Sequence, residues 1–207
     1  MQKIMLNDLF CLTEAVIEKR KLQTRRIEKG LELLSESNHK FDGEKIVLDF
    51  EASVEASDKP IIIRPRYKEG EIVAVAQSYK DAGIIPTHKI YNERTDKSDN
   101  VCNTSGWNNK MFVKPELMPH QIQITNIRLE RLQDITDEEC LAEGIWKGEF
   151  LNTRDVYYYE IIGDCKAYKT FTTPRKAYAS LIDAISGKGT WDSNPYVFVY
   201  EFRLMIY

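Results

Sequence analysis

Apolar residues recur along this chain with two periods, and the changes of period mark its elements. Leu9, Leu12, Val16 and Ile17 fall at helical spacing behind Asn7 and Asp8, either of which can cap a helix, so residues 8–19 are predicted to be helical. No Gly or Pro intervenes before Gly30, so the end of this helix stays open as the chain runs into Lys19, Arg20, Lys21, Arg25 and Arg26. After a turn at Lys68-Glu69-Gly70-Glu71, Ile72, Val73, Ala74, Val75 and Ala76 form an unbroken apolar run, the mark of a strand covered on both faces. Alternation sets in over residues 121–131, with Ile122, Ile124 and Ile127 as candidate core positions, and again in the closing residues, where Tyr196, Phe198, Tyr200, Phe202, Leu204 and Ile206 share a face. Between these strands, Thr136 and Glu139 have the spacing of a capping box, and the helix they open stops at Gly144. Pro174 opens a helix over residues 174–186, with Ala177, Tyr178, Leu181, Ile182 and Ile185 on one face, ended by Gly187-Lys188-Gly189.

The stretches between are less regular. Residues 31–60 have the look of an insertion, with a short helix, a turn at Asp42-Gly43, an alternating strand and a stop at Asp58-Lys59-Pro60. Residues 83–115 are rich in Asn, Asp, Ser and Thr and are expected to be a long loop, of the kind that often forms a lid, with Trp107 as its candidate anchor. Residues 150–170, with Tyr157, Tyr158 and Tyr159 in succession, make a further insertion. Short strands and helices interleave without a regular βαβ order, so the expected class is α+β, a small mixed barrel with peripheral helices.

Charge narrows the function. Of 207 residues, 29 are Lys or Arg and 32 are Asp or Glu, a net charge of −3, which excludes a uniformly basic nucleic-acid coat. The charge is uneven. Residues 1–30 carry seven cations against four acids, and residues 31–58 carry two against eight. The basic amino-terminal corner suits a phosphate or another anion, or is simply a solvated helix end. No apolar run approaches the ~20 residues of a membrane span, and the first residues lack a signal-peptide pattern, so a cytoplasmic protein is expected. Cys11, Cys102, Cys140 and Cys165 show no close pairing and are read as thiols. His39, His88 and His120 are scattered, so no metal and no cofactor is expected.

Four segments, taken in order, resemble the ASCH-domain family, most of all its phage-encoded and bacterial members. They are IEKRKLQTRRI, RYKEGEIVAVAQSY, MPHQIQITNIRLERLQDITDEECLAEGI and SGKGTWDSNPYVFVYEFRLM. The first is similar to the family's G-x-K-T-x-T-R-R stretch and the last to its W-D-x-N-P-W-V-W-V-x-E-F ending. The chain departs from that pattern at Lys19 (Gly in the family), Leu22 (Thr), Gln77 (acidic) and Tyr196 (Trp). The resemblance implies a PUA-like mixed β-barrel with short peripheral helices. It would form one domain with a core over about residues 1–27, 64–81, 117–145 and 171–207, and insertions at about 28–63, 82–116 and 146–170.

The same resemblance implies a small basic cleft that binds RNA or a modified nucleoside or nucleotide. Arg20, Arg25 and Arg26 would contact the ligand, with Tyr79, Trp107 or Trp191 stacking on a base. Some small family members are metal-free amidohydrolases of acetylcytidine, and their catalytic Lys, Thr and Glu fall on Lys21, Thr24 and Glu143. The residue types suit that chemistry. A threonine hydroxyl is a weak nucleophile until a base activates it, and a lysine acts as that base only when burial or neighbouring cations lower its pKa. Plainer roles also exist: a backbone hydrogen bond for Thr24, a surface position for Glu143, a phosphate contact for Lys21. A third reading is a phage-derived interaction protein without catalysis.

Overall fold

The two longest alternating stretches of the sequence become the central strand pair. The computed structural model describes residues 1–34, 39–48, 61–85, 105–150, 154–162 and 166–205. Its first half contains β1 (Gln2–Ile4), α1 (Leu12–Ile17), β2 (Gln23–Arg26), β3 (His39–Phe41), β4 (Ile46–Leu48), β5 (Ile61–Ile63) and β6 (Ile72–Val75). The second half contains β7 (Gln121–Arg131), α2 (Asp137–Ala142), β8 (Trp146–Phe150), β9 (Arg154–Ile162), β10 (Lys166–Phe171), α3 (Pro174–Ser186), α4 (Thr190–Ser193) and β11 (Tyr196–Leu204). The class is α+β, dominated by sheet, with few and short helices.

Five strands form the main sheet in the order β1-β6-β7-β11-β2, and three-stranded sheets form in the orders β10-β9-β8 and β3-β4-β5. In the main sheet β1 runs parallel to β6, and the other described pairs are antiparallel. β11 lies between β7 and β2, and Val197, Phe198, Val199 and Tyr200 are all buried although they point to alternate faces, so both faces of the sheet are covered there. The register of β7 against β11 slips between Glu201 and Phe202, whose partners are Asn126 and Ile124. The extra residue is Thr125. This bulge reconciles a parity break in the sequence: Ile122 and Ile124 are even, Ile127 is odd, yet all three are buried.

The expected single helix over residues 8–19 is instead a 3-10 turn, Asp8–Phe10, followed by α1. Asn7 caps the turn by accepting the Leu9 N–H. Cys11 joins the two pieces at φ 53°, and Lys19 at φ 60° ends the second. Beyond Lys19 the basic cluster is not a helix end. It enters β2, where Thr24 pairs with Tyr200 and Arg26 with Phe198. The expected short helix after Gly30 is only a 3-10 turn, Leu31–Leu33. The stretch taken as an insertion at 150–170 belongs to the β8–β9–β10 sheet, and β5 is a strand that the pattern did not mark. The candidate stop at Asp58, Lys59 and Pro60, residues 86–104 of the expected long loop, and Ile206 lie outside the described residues.

The main core draws on all three sheets. Ile4, Tyr67, Ile122, Ile124 and the β11 side chains are joined there by Leu31, Ile46, Leu48 and Ile63, and by Tyr159 of β9. Described residues of the segments expected as insertions at 28–63 and 146–170 therefore pack onto the main core. A second, smaller cluster unites Ala74, Ala76, Tyr79, Val113 and Met118. Among the described residues no helix is long and apolar enough to cross a membrane.

Candidate functional site

β1 and β2 are the two outer strands of the main sheet, and the chain that follows β1 comes back toward β2. Arg26 bridges them by donating from Nη2 to the Met5 carbonyl at 2.6 Å. A cavity of about 900 Å³ lies here, walled by residues 5–9, by β2 and its continuation to Glu28, and by α3. This is within the usual range for a small-molecule site. Lys21, Thr24 and Glu143 all line it, as do Arg25 and Arg26.

Local structure explains how Glu143 and Lys21 meet. The capping box starts α2, with Thr136 Oγ1 accepting from the Glu139 N–H and Glu139 Oε2 accepting from the Thr136 N–H. Six helical residues later Glu143 is the C-terminal cap, and Gly144 at φ 105° turns the chain away, a conformation that favours glycine. Lys21 closes this helix end from the other side. Its Nζ donates to the Glu143 backbone carbonyl at 2.9 Å and to Glu143 Oε2 at 2.5 Å. Two of the three ammonium protons are so used. The pair is almost inaccessible, with Lys21 2% and Glu143 3% exposed. Burial lowers the Lys21 pKa from its ordinary value, and Arg26 and Arg25 lower it further, against the opposing pull of Glu143.

Arg25 has a different place from the one expected. Its fully buried guanidinium donates to Glu130 Oε1 at 2.9 and 2.6 Å, to Glu139 Oε2 at 2.9 Å and to Glu143 Oε1 at 3.2 Å. Arg128 adds a bond to Glu139 at 2.6 Å and an ion pair with Glu130 at 3.3 Å. With Glu201 on Arg128 at 3.1 Å, Lys21, Arg25 and Arg128 thus face four carboxylates. Arg25 positions Glu143 and is saturated by protein carboxylates.

Four other expected ligand contacts lie away from the cavity. Arg20 stacks over the Trp146 ring at 3.7 Å and pairs with Glu18. Tyr79 is buried in the second cluster, against Gly106, and its hydroxyl accepts the Lys114 N–H. Trp107 packs on that same cluster. Trp191 meets Tyr178 edge-on at 6.2 Å, and its turn is held by Asp183, which accepts the Trp191 and Gly189 N–H groups. Each of these aromatic rings packs in or against a hydrophobic cluster, which residue type alone did not reveal.

The cavity instead contains residues that the pattern assigned elsewhere. Tyr178 was placed on the apolar face of α3, yet it lines the cavity, and burial together with the nearby Glu143 charge pushes its phenol well above the ordinary range. It therefore stays a neutral O–H donor. Glu28 also lines the cavity, its carboxylate accepting from Tyr200 Oη at 2.7 Å and from the Arg66 N–H at 3.1 Å. Burial raises its pKa, against those two hydrogen bonds. No local motif marks either residue, because each is brought in by a contact between distant elements. Cys11, Glu14 and Glu160 have ligand atoms within 4.8 Å of one another, the metal-type grouping found among the described residues, and none of the three lines the cavity.

No family model, no curated protein and no solved structure matches this chain.

Proposed function

We propose that this cavity binds a modified nucleoside or nucleotide, in a PUA-like domain of the ASCH type. The observation that carries the proposal is that Lys21, Thr24, Arg26 and Glu143, drawn from β2, its approach and the end of α2, line one cavity of about 900 Å³. The barrel reading is supported by the Arg26–Met5 bridge, which links the chain beyond one sheet edge to the strand at the other. The charge arrangement favours a single nucleoside over a long RNA. Lys21 and Arg25 are neutralised by protein carboxylates and Lys110 by Asp8, so among the described residues Arg26 and Arg66 are the lining cations left to meet a ligand phosphate. Calorimetric titration with acetylcytidine, its 5′-monophosphate and a short RNA tests this. Binding of the monophosphate that weakens in Arg26→Ala is expected, and no binding of any of the three refutes it.

A second reading is hydrolysis of the amide of an N-acylated cytidine. It is favoured by the buried Lys21–Glu143 pair and the lowered Lys21 pKa beside Thr24. In that reaction neutral Lys21 takes the Thr24 proton as Oγ1 attacks the amide carbonyl. The Tyr178 O–H donates to the oxygen that becomes negative. The C–N bond breaks as the proton passes from Lys21, held by Glu143, to the leaving amine. Water then cleaves the Thr24 ester and releases the carboxylic acid. Acetate release from acetylcytidine, lost in both Lys21→Ala and Thr24→Ala, is the expected result. Release that persists in Thr24→Ala overturns this mechanism.

A further inference from the structure

The cavity has two unlike walls. The charged lining groups come from outside α3: Lys21, Arg26 and Glu28 from β2 and its surroundings, and Lys110 paired with Asp8 at 2.6 Å. The residues contributed by α3 carry no charge at all: Tyr178, Leu181, Ile182, Ile185 and Ser186. They follow the spacing of one helical face. Their exposure rises along it, from 2% at Tyr178 and Leu181 to 7% at Ile182 and 37% at Ile185. The stripe thus leads outward from the Glu143 end of the cavity. The seven rises of about 1.5 Å from Tyr178 to Ile185 make it about 10 Å long. Leu9 and Ile27 also line the cavity and are likewise exposed, at 49% and 46%. Beyond the Tyr178 and Ser186 hydroxyls, this wall offers no side-chain hydrogen-bonding group to a base or a sugar.

We infer that the ligand carries a bulky apolar acyl group, larger than acetyl, that lies along α3 from Tyr178 to Ile185 while its nucleoside part meets the charged β2 wall. The inference rests on the reading that the cavity takes an N-acylated nucleoside. An acetyl group has a single methyl to bury and leaves Leu9, Ile27 and Ile185 exposed. A six-carbon chain or an aromatic acyl group covers them. Each methylene buried on such a wall strengthens binding by about three- to fourfold.

The test uses Thr24→Ala protein, to prevent turnover, and titration calorimetry with N-acetyl-, N-butyryl- and N-hexanoylcytidine. Affinity is expected to increase with chain length, by at least tenfold from acetyl to hexanoyl. In the Thr24→Ala/Ile185→Lys double variant the hexanoyl-to-acetyl ratio is expected to fall several-fold; Ile185 is partly exposed, so the change does not open the core. Acetyl binding as tight as hexanoyl overturns the acyl wall and leaves the nucleoside reading intact. A nucleoside-free hexanoyl amide that binds where hexanoylcytidine does not removes the nucleoside reading and supports the wall. A hexanoyl preference unchanged by Ile185→Lys overturns the assignment to α3.

Discussion

Removing the Glu143 side chain gives the sharpest test of the buried charge network. In Glu143→Ala, Arg25 keeps its bonds to Glu130 and Glu139, at 2.6 and 2.9 Å, so most of the cost falls on Lys21. Lys21 keeps only the residue-143 backbone carbonyl, now at 2.9 Å in the native protein, and is 2% exposed. A buried charge that loses its partner destabilises by about 3–5 kcal/mol. The assay is urea unfolding at pH 7, reading the shift of midpoint multiplied by the slope. Replacing both partners, as Lys21→Met/Glu143→Leu, removes the stranded charge and is expected to recover most of the loss. The penalty also has a pH signature. The folded Lys21 pKa lies below its unfolded value, so between the two the native state holds fewer protons and stability rises with pH. Without Glu143, which raises the Lys21 pKa, that rise starts at lower pH. The Glu143→Ala deficit relative to wild type therefore shrinks as pH increases. A loss below about 1 kcal/mol at pH 7, well under the range for a broken buried pair, refutes the reasoning. So does a double variant as unstable as the sum of its single changes.

Other outcomes follow from the same geometry. If Lys21 is the base, the rate of amide hydrolysis rises with pH to a plateau whose midpoint lies below the ordinary lysine value of about 10.4; a flat pH–rate profile removes Lys21 from that role. Thr136→Ala breaks the capping box and should cost about 1 kcal/mol in urea unfolding, since the Glu139 N–H loses its acceptor. Arg20→Ala should leave nucleotide affinity unchanged, because Arg20 lies over Trp146 outside the cavity, whereas Arg26→Ala weakens it; equal effects in a titration would contradict this division.

How much of the site was legible in the sequence differs from residue to residue. Lys21, Thr24 and Glu143 were identified by the resemblance of their segments to a known family, and all three line one cavity. The Thr136–Glu139 box and the Gly144 stop that position Glu143 were readable directly, because caps are set by residues within one turn of each other. Arg25 shows the limit. Its cationic type suggested a phosphate contact, but three carboxylates from β7 and α2 surround it. The aromatic candidates fail for a related reason. Tyr79, Trp107 and Trp191 were candidates by residue type, and only packing tells a stacking ring from a filling one.

By itself the sequence determined what depends on near neighbours. It marked β7, β11 and α3 within a few residues of their ends, because period and capping are local properties of the chain. It left the basic cluster after α1 open and put it nearest to a helix, whereas it forms the edge strand β2, because β11 offers it hydrogen bonds from some 175 residues away, on the order of the whole chain. The tertiary structure alone decided that Lys21 is neutralised by Glu143, that Tyr178 lines the cavity, and that the charged lining residues and the uncharged face of α3 share one cavity. Each of these depends on elements that meet only when β2, α2 and α3 pack together, and no local pattern records such a meeting.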